Sequence, residues 1–262
     1  MTTAPSAMKP QSLVLDDERT YPETPDHATF QHHLARYEFA VAQMRPGERV
    51  LETGCGAGYG AHLLAQKARF VLGVDYSPAA IEYARGRYRD ANLAFAVMNC
   101  HRLALADGQF DRIVSFEMFE HMERPLDYLR ECARLLRPGG ELLLSTPNRS
   151  AWEVHMRSIE ARYEFHINMV DLRQLRRQLS SSFRRFKIYG QRRRGNRLYS
   201  LLRGLDVWNL RLRFFSAARR ERLQESFGVP GGEKASGLDW VFSRTQLRQC
   251  NHFVAICRRG NE

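Results

Sequence analysis

Residues 50–60, VLETGCGAGYG, leave the backbone few options: an apolar run reaches an acid, Glu52, and then meets glycine at every second position. The run reads as a strand, and the glycines as a turn that opens into a helix near Ala61. Gly54, Gly56 and Gly58 lack a Cβ and tolerate positive φ, so the backbone can approach a ligand closely before the helix begins. A nucleotide-like cofactor is the natural occupant. Spacing alone is ambiguous, because Gly56, Gly58 and Ala61 also satisfy the dinucleotide pattern GxGxxG/A if the frame is slid by two. A second apolar run, VLGVDYSP at residues 71–78, resolves the frame. Its Asp75 stands twenty-three residues after Glu52, at the end of the next strand of a βαβ unit, where a carboxylate can grip ribose hydroxyls. Ser77 then serves as N-cap, and Pro78 takes the first helical position, where its missing N–H costs nothing.

With these blocks in order, the chain resembles the class I S-adenosylmethionine-dependent methyltransferases. Their first motif is an acid followed by GxGxG, here Glu52, Gly54, Gly56 and Gly58. FDRIVSFEMFEHM at residues 110–122 is similar to that family's fourth strand and following helix, and LRPGGELLLSTPN at residues 136–148 to its fifth strand. The resemblance covers residues 37–190 and a last strand. It implies an α/β fold: a doubly wound, seven-stranded, mostly parallel sheet of the Rossmann-like methyltransferase type, with an antiparallel last strand. It also implies S-adenosyl-L-methionine as cofactor, held by Glu52, Gly54, Cys55, Gly56, Gly58, Asp75, Tyr76, Asn99, Cys100, His101 and Glu117. The family often places an acid at position 99. Asn99 departs from that, although its carbonyl oxygen can accept the same hydrogen bond from the adenine amino group. A backbone amide at Cys100 or His101 would then face the adenine ring, with Leu103 as a wall.

Upstream, Phe30, Leu34, Tyr37, Val41 and Met44 recur at helical spacing until Pro46 and Gly47. In similar methyltransferases such a helix lies over the cofactor mouth, which would bring Arg36 and Tyr37 to the carboxylate or the substrate. The plainer reading keeps Tyr37 in the core and Arg36 on the surface. Downstream, a fourth strand at residues 112–116 delivers Glu117, Glu120 and His121 to the carboxyl edge of the sheet, where open α/β folds bind ligands. His121 is a candidate general base for removing a hydroxyl proton, with Glu117 and Glu120 beside it to orient the ring or meet the substrate. A histidine satisfying a buried backbone group is the competing reading. His166 is the second base candidate. No Asn/Asp/Ser-Pro-Pro-aromatic turn follows the fourth strand, and no cysteine there follows a proline, which disfavours both amine and thiolate-dependent base methylation of nucleic acid.

The remaining elements expected are a helix burying Leu126, Leu129, Cys132 and Leu136, a strand at residues 141–145, a helix at 170–179, a sixth strand at 186–189 and a seventh at 252–258. Residues 1–27 are polar and hold four prolines, as in a loose arm, so residues 28–262 would form the methyltransferase domain. Between the last two strands, residues 191–250 read as a cap. Residues 183–222 carry thirteen Lys or Arg against two acids, which equals the whole formal charge of +11. Such a field attracts anions. Arg192, Arg193 and Arg194 are therefore candidate contacts for an anionic or sugar-containing small acceptor. RNA, lipid-linked substrates and peripheral membrane contact are the alternatives, as is a catalytically silent cofactor-binding module. The five cysteines show no CxxC spacing, so no metal site is expected from them. Reduced thiols, and the absence of a leader or spanning run from this sequence, suit a cytoplasmic protein.

Overall fold

The computed structural model describes residues 27–151, 166–194 and 240–260. Helix α1 (His27–Gln43) leads into β1 (Arg49–Thr53), followed by α2 (Tyr59–Ala65), β2 (Phe70–Asp75), α3 (Pro78–Arg87), β3 (Leu93–Val97) and β4 (Phe110–Ser115). Then come α4 (Pro125–Leu135), β5 (Leu136–Pro147), α5 (Leu172–Leu179), β6 (Arg185–Arg193), β7 (Trp240–Ser243) and β8 (His252–Arg258). The strands form one sheet in the order β3-β2-β1-β4-β5-β8-β6-β7. The first five of these are mutually parallel. β8 runs antiparallel between β5 and β6, and β7 runs antiparallel on the outer edge of β6.

Strand alternation divides the core between the two faces of this sheet. Val50, Val71, Leu143 and Val254 cluster with residues of α1, α2 and α3. Leu51, Ile113, Leu142, Leu144 and Phe253 cluster with α4 and α5 on the other face. The order of connection reverses between β1 and β4, and in open α/β sheets the crevice beyond the carboxyl ends at such a reversal is where ligands sit. Local chemistry sets the helix starts. Ser77 caps α3 by accepting the Ala80 N–H at 3.3 Å, and Asp171 caps α5 in a reciprocal box with Gln174, each such cap contributing about 1 kcal/mol.

The structure corrects the expected pattern in four places. The sheet has eight strands, because Trp240–Ser243, read as part of the cap, pairs with an extended β6. Arg192 and Arg193 consequently lie within β6, opposite Val241 and Trp240, and Arg194 directly follows it. Gly190 to Arg193 show no apolar alternation, and their pairing partner is distant in sequence, so the extension left no local signal. β5 starts at Leu136, immediately after α4, and the Pro138-Gly139-Gly140 stretch forms a register shift in the strand where a loop was expected. In α4 the buried stripe is Tyr128, Leu129, Cys132 and Leu135, while Leu126, in the first turn after Pro125, is 39% exposed. The arm before His27 and most of the cap, residues 195–239, lie outside the described residues. Among the described residues no helix is long and apolar enough to cross a membrane, and all five cysteines are buried thiols.

Candidate active site

The glycine turn has the conformation its sequence demands. Gly54, Gly56 and Gly58 have φ of +70°, +49° and +82°. Their bareness serves different ends. A Cβ at Gly54 would stand 2.7 Å from the Met118 side chain, and one at Gly58 2.7 Å from Ala84 Cβ, so these two glycines admit close packing. A Cβ at Gly56 would meet nothing within 4 Å. The space beside Gly56 is thus the part of the turn that the protein leaves to a ligand.

Asp75 binds this turn to the next helix. Its Oδ2 accepts the Gly56 N–H and its Oδ1 the Ser77 N–H, both at 2.9 Å. Tyr76 and Val97 beside it are 69% and 48% exposed, an apolar surface at the sheet edge that suits the face of a base. Asn99 Oδ1 accepts the His101 N–H at 2.9 Å, so that amide is already engaged within its own turn. Burial pushes the Cys100 thiol up to about 12, against the Gly54 amide. At the end of β1, Glu52 is fully buried, and burial pushes its carboxyl up to about 8, although the adjacent Tyr37 hydroxyl and Ala61 amide favour the charged form. In the empty protein Glu52 is therefore largely neutral at pH 7. A cationic group entering the turn would draw out its proton and pair with the carboxylate. A buried, chargeable acid, a second acid held at both oxygens and open space at Gly56 fit the amino-acid end and ribose of S-adenosylmethionine.

The second half of the site is built on Glu117, the second residue past β4. Its φ of +50° is one of two positive values among the described non-glycine residues, and such a conformation costs on the order of 1–3 kcal/mol. Ser145 Oγ accepts the Glu117 N–H at 3.0 Å and donates to Oε1 at 2.8 Å. Arg36 Nη1 lies 3.5 Å from Oε1, and His252 Nε2 3.0 Å from Oε2. Burial alone would raise this carboxyl, but Arg36 and His252 outweigh it and hold it well below the usual carboxylate range. Arg36 is fully buried rather than on the surface, and donates to Gln191 Oε1 at 3.1 Å. Its Nε and Nη2 have no hydrogen-bond partner. Those two donors are left for an anionic group, at a cost of about 1–3 kcal/mol each while unmet. Tyr37 is core-packed between the rings of Tyr59 and Phe116, and its hydroxyl reaches Glu52.

Glu120, His121 and His166 gather separately. The two imidazole centroids are 4.9 Å apart, and one ligand atom from each of the three residues lies within 4.8 Å of the others, a spacing that suits a cation. Asn168 brings His166 there, donating its N–H to the Glu120 carbonyl at 2.8 Å and its amide to the Phe119 carbonyl at 3.1 Å. Burial, and then the charge of Glu117, hold the Glu120 carboxyl well above the carboxylate range, while burial and His121 pull His166 down to about 4. The expected pairing of Glu117 with His121 is replaced by pairing with His252. Sequence reasoning missed His252, Ser145, Gln191 and His32, whose ring packs 4.5 Å from that of His252. One signal was present: an antiparallel last strand must begin at the edge where the parallel strands end, so its first residue, His252, belongs at the site.

Residues 51–144 match the family model described as a methyltransferase domain. A probable S-adenosylmethionine-dependent methyltransferase of Mycolicibacterium smegmatis is 40% identical over 146 residues, 55% of this chain and 56% of that protein. A ubiquinone biosynthesis O-methyltransferase of Xanthomonas campestris pv. campestris is 34% identical over 146 residues, 54% of this chain and 60% of that protein. The chain thus spans a little over half the length of the curated relatives it matches. Among solved structures, the complex of a Haloferax volcanii methyltransferase with its Trm112 activator aligns with a TM-score of 0.60 at 18% identity, covering 90% of this chain and 93% of that one, a likeness of fold.

Proposed function

We propose that this chain, whose residues 51–144 match a methyltransferase domain, transfers the methyl group of S-adenosylmethionine to a hydroxyl of a small acceptor bearing an anionic or sugar portion. The observation that carries the choice of oxygen is the placing of three histidines near the carboxyl ends of the strands, His121 against His166 and His252 against Glu117. An alcohol or phenol must lose its proton to become a good nucleophile, whereas an amine brings its own lone pair, and imidazole is the side chain best suited to that removal. An O-methyltransferase among the relatives supports the same reading. The unmet donors of buried Arg36 favour an anion, either the cofactor's carboxylate or an acidic acceptor. Incubating cell extracts with the protein and methyl-labelled cofactor, and identifying the labelled product by mass spectrometry, tests the reading. Label on RNA or on a lipid-linked product would shift the assignment to the alternatives favoured by the basic segment, and label on nitrogen would refute oxygen.

The cofactor site has its own test. Asp75→Ala removes a carboxylate that could accept ribose hydroxyls, charge-assisted bonds worth about 1.5–3 kcal/mol, and also releases the Gly56 and Ser77 amides. Calorimetry should show cofactor affinity falling at least tenfold. Gly56→Ala should fold, since its Cβ has room, at a backbone cost of about 1 kcal/mol, while blocking the ligand. Wild-type affinity in both variants would refute this placement.

A further inference from the structure

We propose that His252 is the general base of methyl transfer and that Glu117 is the residue that orients it, an assignment resting on the O-methylation reading above. β8 is antiparallel to β5, so its first residue lies at the same edge to which β4 delivers Glu117. His252 Nε2 and Glu117 Oε2 are 3.0 Å apart. Glu117 cannot readily turn away: Ser145 holds both its amide and Oε1, and Arg36 flanks Oε1. The strained φ at this residue is what an enforced side-chain direction looks like in a backbone.

An ionised carboxylate only accepts hydrogen bonds, so a neutral His252 must carry its proton on Nε2. That leaves Nδ1 as a bare lone pair, and Nδ1 is buried with no hydrogen-bond partner. A buried acceptor without a donor calls for a ligand group that donates, and a hydroxyl is one. The charged and titratable groups around His252 are Glu117 beyond β4, Arg36, His32 and His33 on α1, and His166. Burial, followed by the Arg36 charge, keeps His32 neutral, so it does not compete for the proton. In the step, the acceptor O–H gives its proton to Nδ1 as the oxygen lone pair forms a bond to the methyl carbon. The carbon–sulfur bond breaks, with its electron pair left on sulfur. The imidazolium so formed is balanced by Glu117, and its proton later passes to water.

Two measurements test this. In histidine-¹⁵N-labelled protein without ligand, His252 should display the Nε2–H tautomer. His62, whose Nδ1 faces Asp90 Oδ2 at 2.7 Å, should display the opposite one and serves as internal standard. Glu117→Gln, which can donate as well as accept, should erase the preference of His252 alone. Single turnovers with labelled cofactor and 3,4-dihydroxybenzoate should slow by about 10²- to 10⁴-fold in His252→Gln, which keeps a donor to Glu117, with cofactor affinity unchanged by calorimetry. The same variant should keep most of its rate with 4-nitrocatechol, already ionised at neutral pH. An Nδ1–H tautomer in the wild type, no response to Glu117→Gln, or undiminished turnover in His252→Gln would each overturn the assignment. A wild type that binds cofactor yet methylates neither catechol would overturn it together with the hydroxyl-acceptor reading. A wild type that binds no cofactor would sink the methyltransferase reading itself, leaving the tautomer to decide the pair.

Discussion

Glu52→Gln should make the empty protein more stable than the wild type at alkaline pH, by an amount that grows between about pH 4.5 and 8 and then levels off. Burial raises the folded-state pKa of Glu52 from 4.5 to about 8, so the folded protein holds a proton that the unfolded chain gives up. Stability from this group is complete below pH 4.5 and is lost as pH rises through 8. The full loss is on the order of 5 kcal/mol, an upper figure because a relaxing interior or entering water would lessen it. Glutamine has no proton to lose and escapes the penalty. Thermal melts at pH 6 and pH 9 should therefore diverge between the two proteins, by roughly 10 °C at the higher pH if most of the penalty is realised. Adding cofactor should reverse the ranking, because a cation in the turn recovers the cost of ionising Glu52 in the wild type only. Calorimetry in buffers of different ionisation enthalpy should then detect proton release on binding below pH 8. A stability difference that is the same at both pH values would show that Glu52 is ionised in the empty protein after all.

That buried acid shows which parts of the molecule could be read in one dimension. Glu52, the glycines and Asp75 lie within one βαβ unit, where strand, turn and cap signals are local, and the structure places all of them at one sheet edge. Asp75 and Ser77 needed no knowledge of distant residues. The Glu117 cluster did. Arg36 meets Gln191 across 155 residues of sequence, and His252 comes from a strand whose position in the sheet is decided by pairing with both β5 and β6. Chemistry at Glu117 was legible as an acid after the fourth strand. Its partner was not, because residue spacing places His121 near Glu117 on the chain, whereas the strained turn and Ser145 direct the carboxylate towards His252. The same contrast holds for the edge of the sheet. Gly190 to Arg193 and Trp240–Ser243 form strands because each supplies the other's hydrogen bonds, a non-local reason that leaves no periodicity in either segment.

Arg112→Met should destabilise the protein by about 3–5 kcal/mol while leaving cofactor affinity unchanged. Arg112 is 3% exposed near the start of β4, at the opposite end of the strand from Glu117. Its Nε donates to Glu48 Oε2 at 2.7 Å and its Nη2 to Glu48 Oε1 at 3.2 Å and the Gln43 carbonyl at 3.1 Å, while Nη1 lies 3.2 Å from Glu141 Oε2. One guanidinium thus ties the end of α1, the approach to β1, β4 and β5 together beneath the sheet. Methionine replaces only the apolar stem of the arginine and leaves the Glu48 carboxylate, 8% exposed as a residue, without its counter-charge. The cost arises from that stranded acid more than from the lost bonds. Glu48→Gln combined with Arg112→Met should therefore recover much of the stability in urea denaturation, since removing both charges of a buried pair is far less harmful than removing one. If the single variant costs under 1 kcal/mol, or if the double variant is as unstable as the sum of the two singles, Glu48 is not stranded and water reaches it. The comparison also separates the two ends of the sheet: a network beneath the strands carries stability, and the network above them, around Glu117, carries the strain and unmet donors that a ligand would relieve.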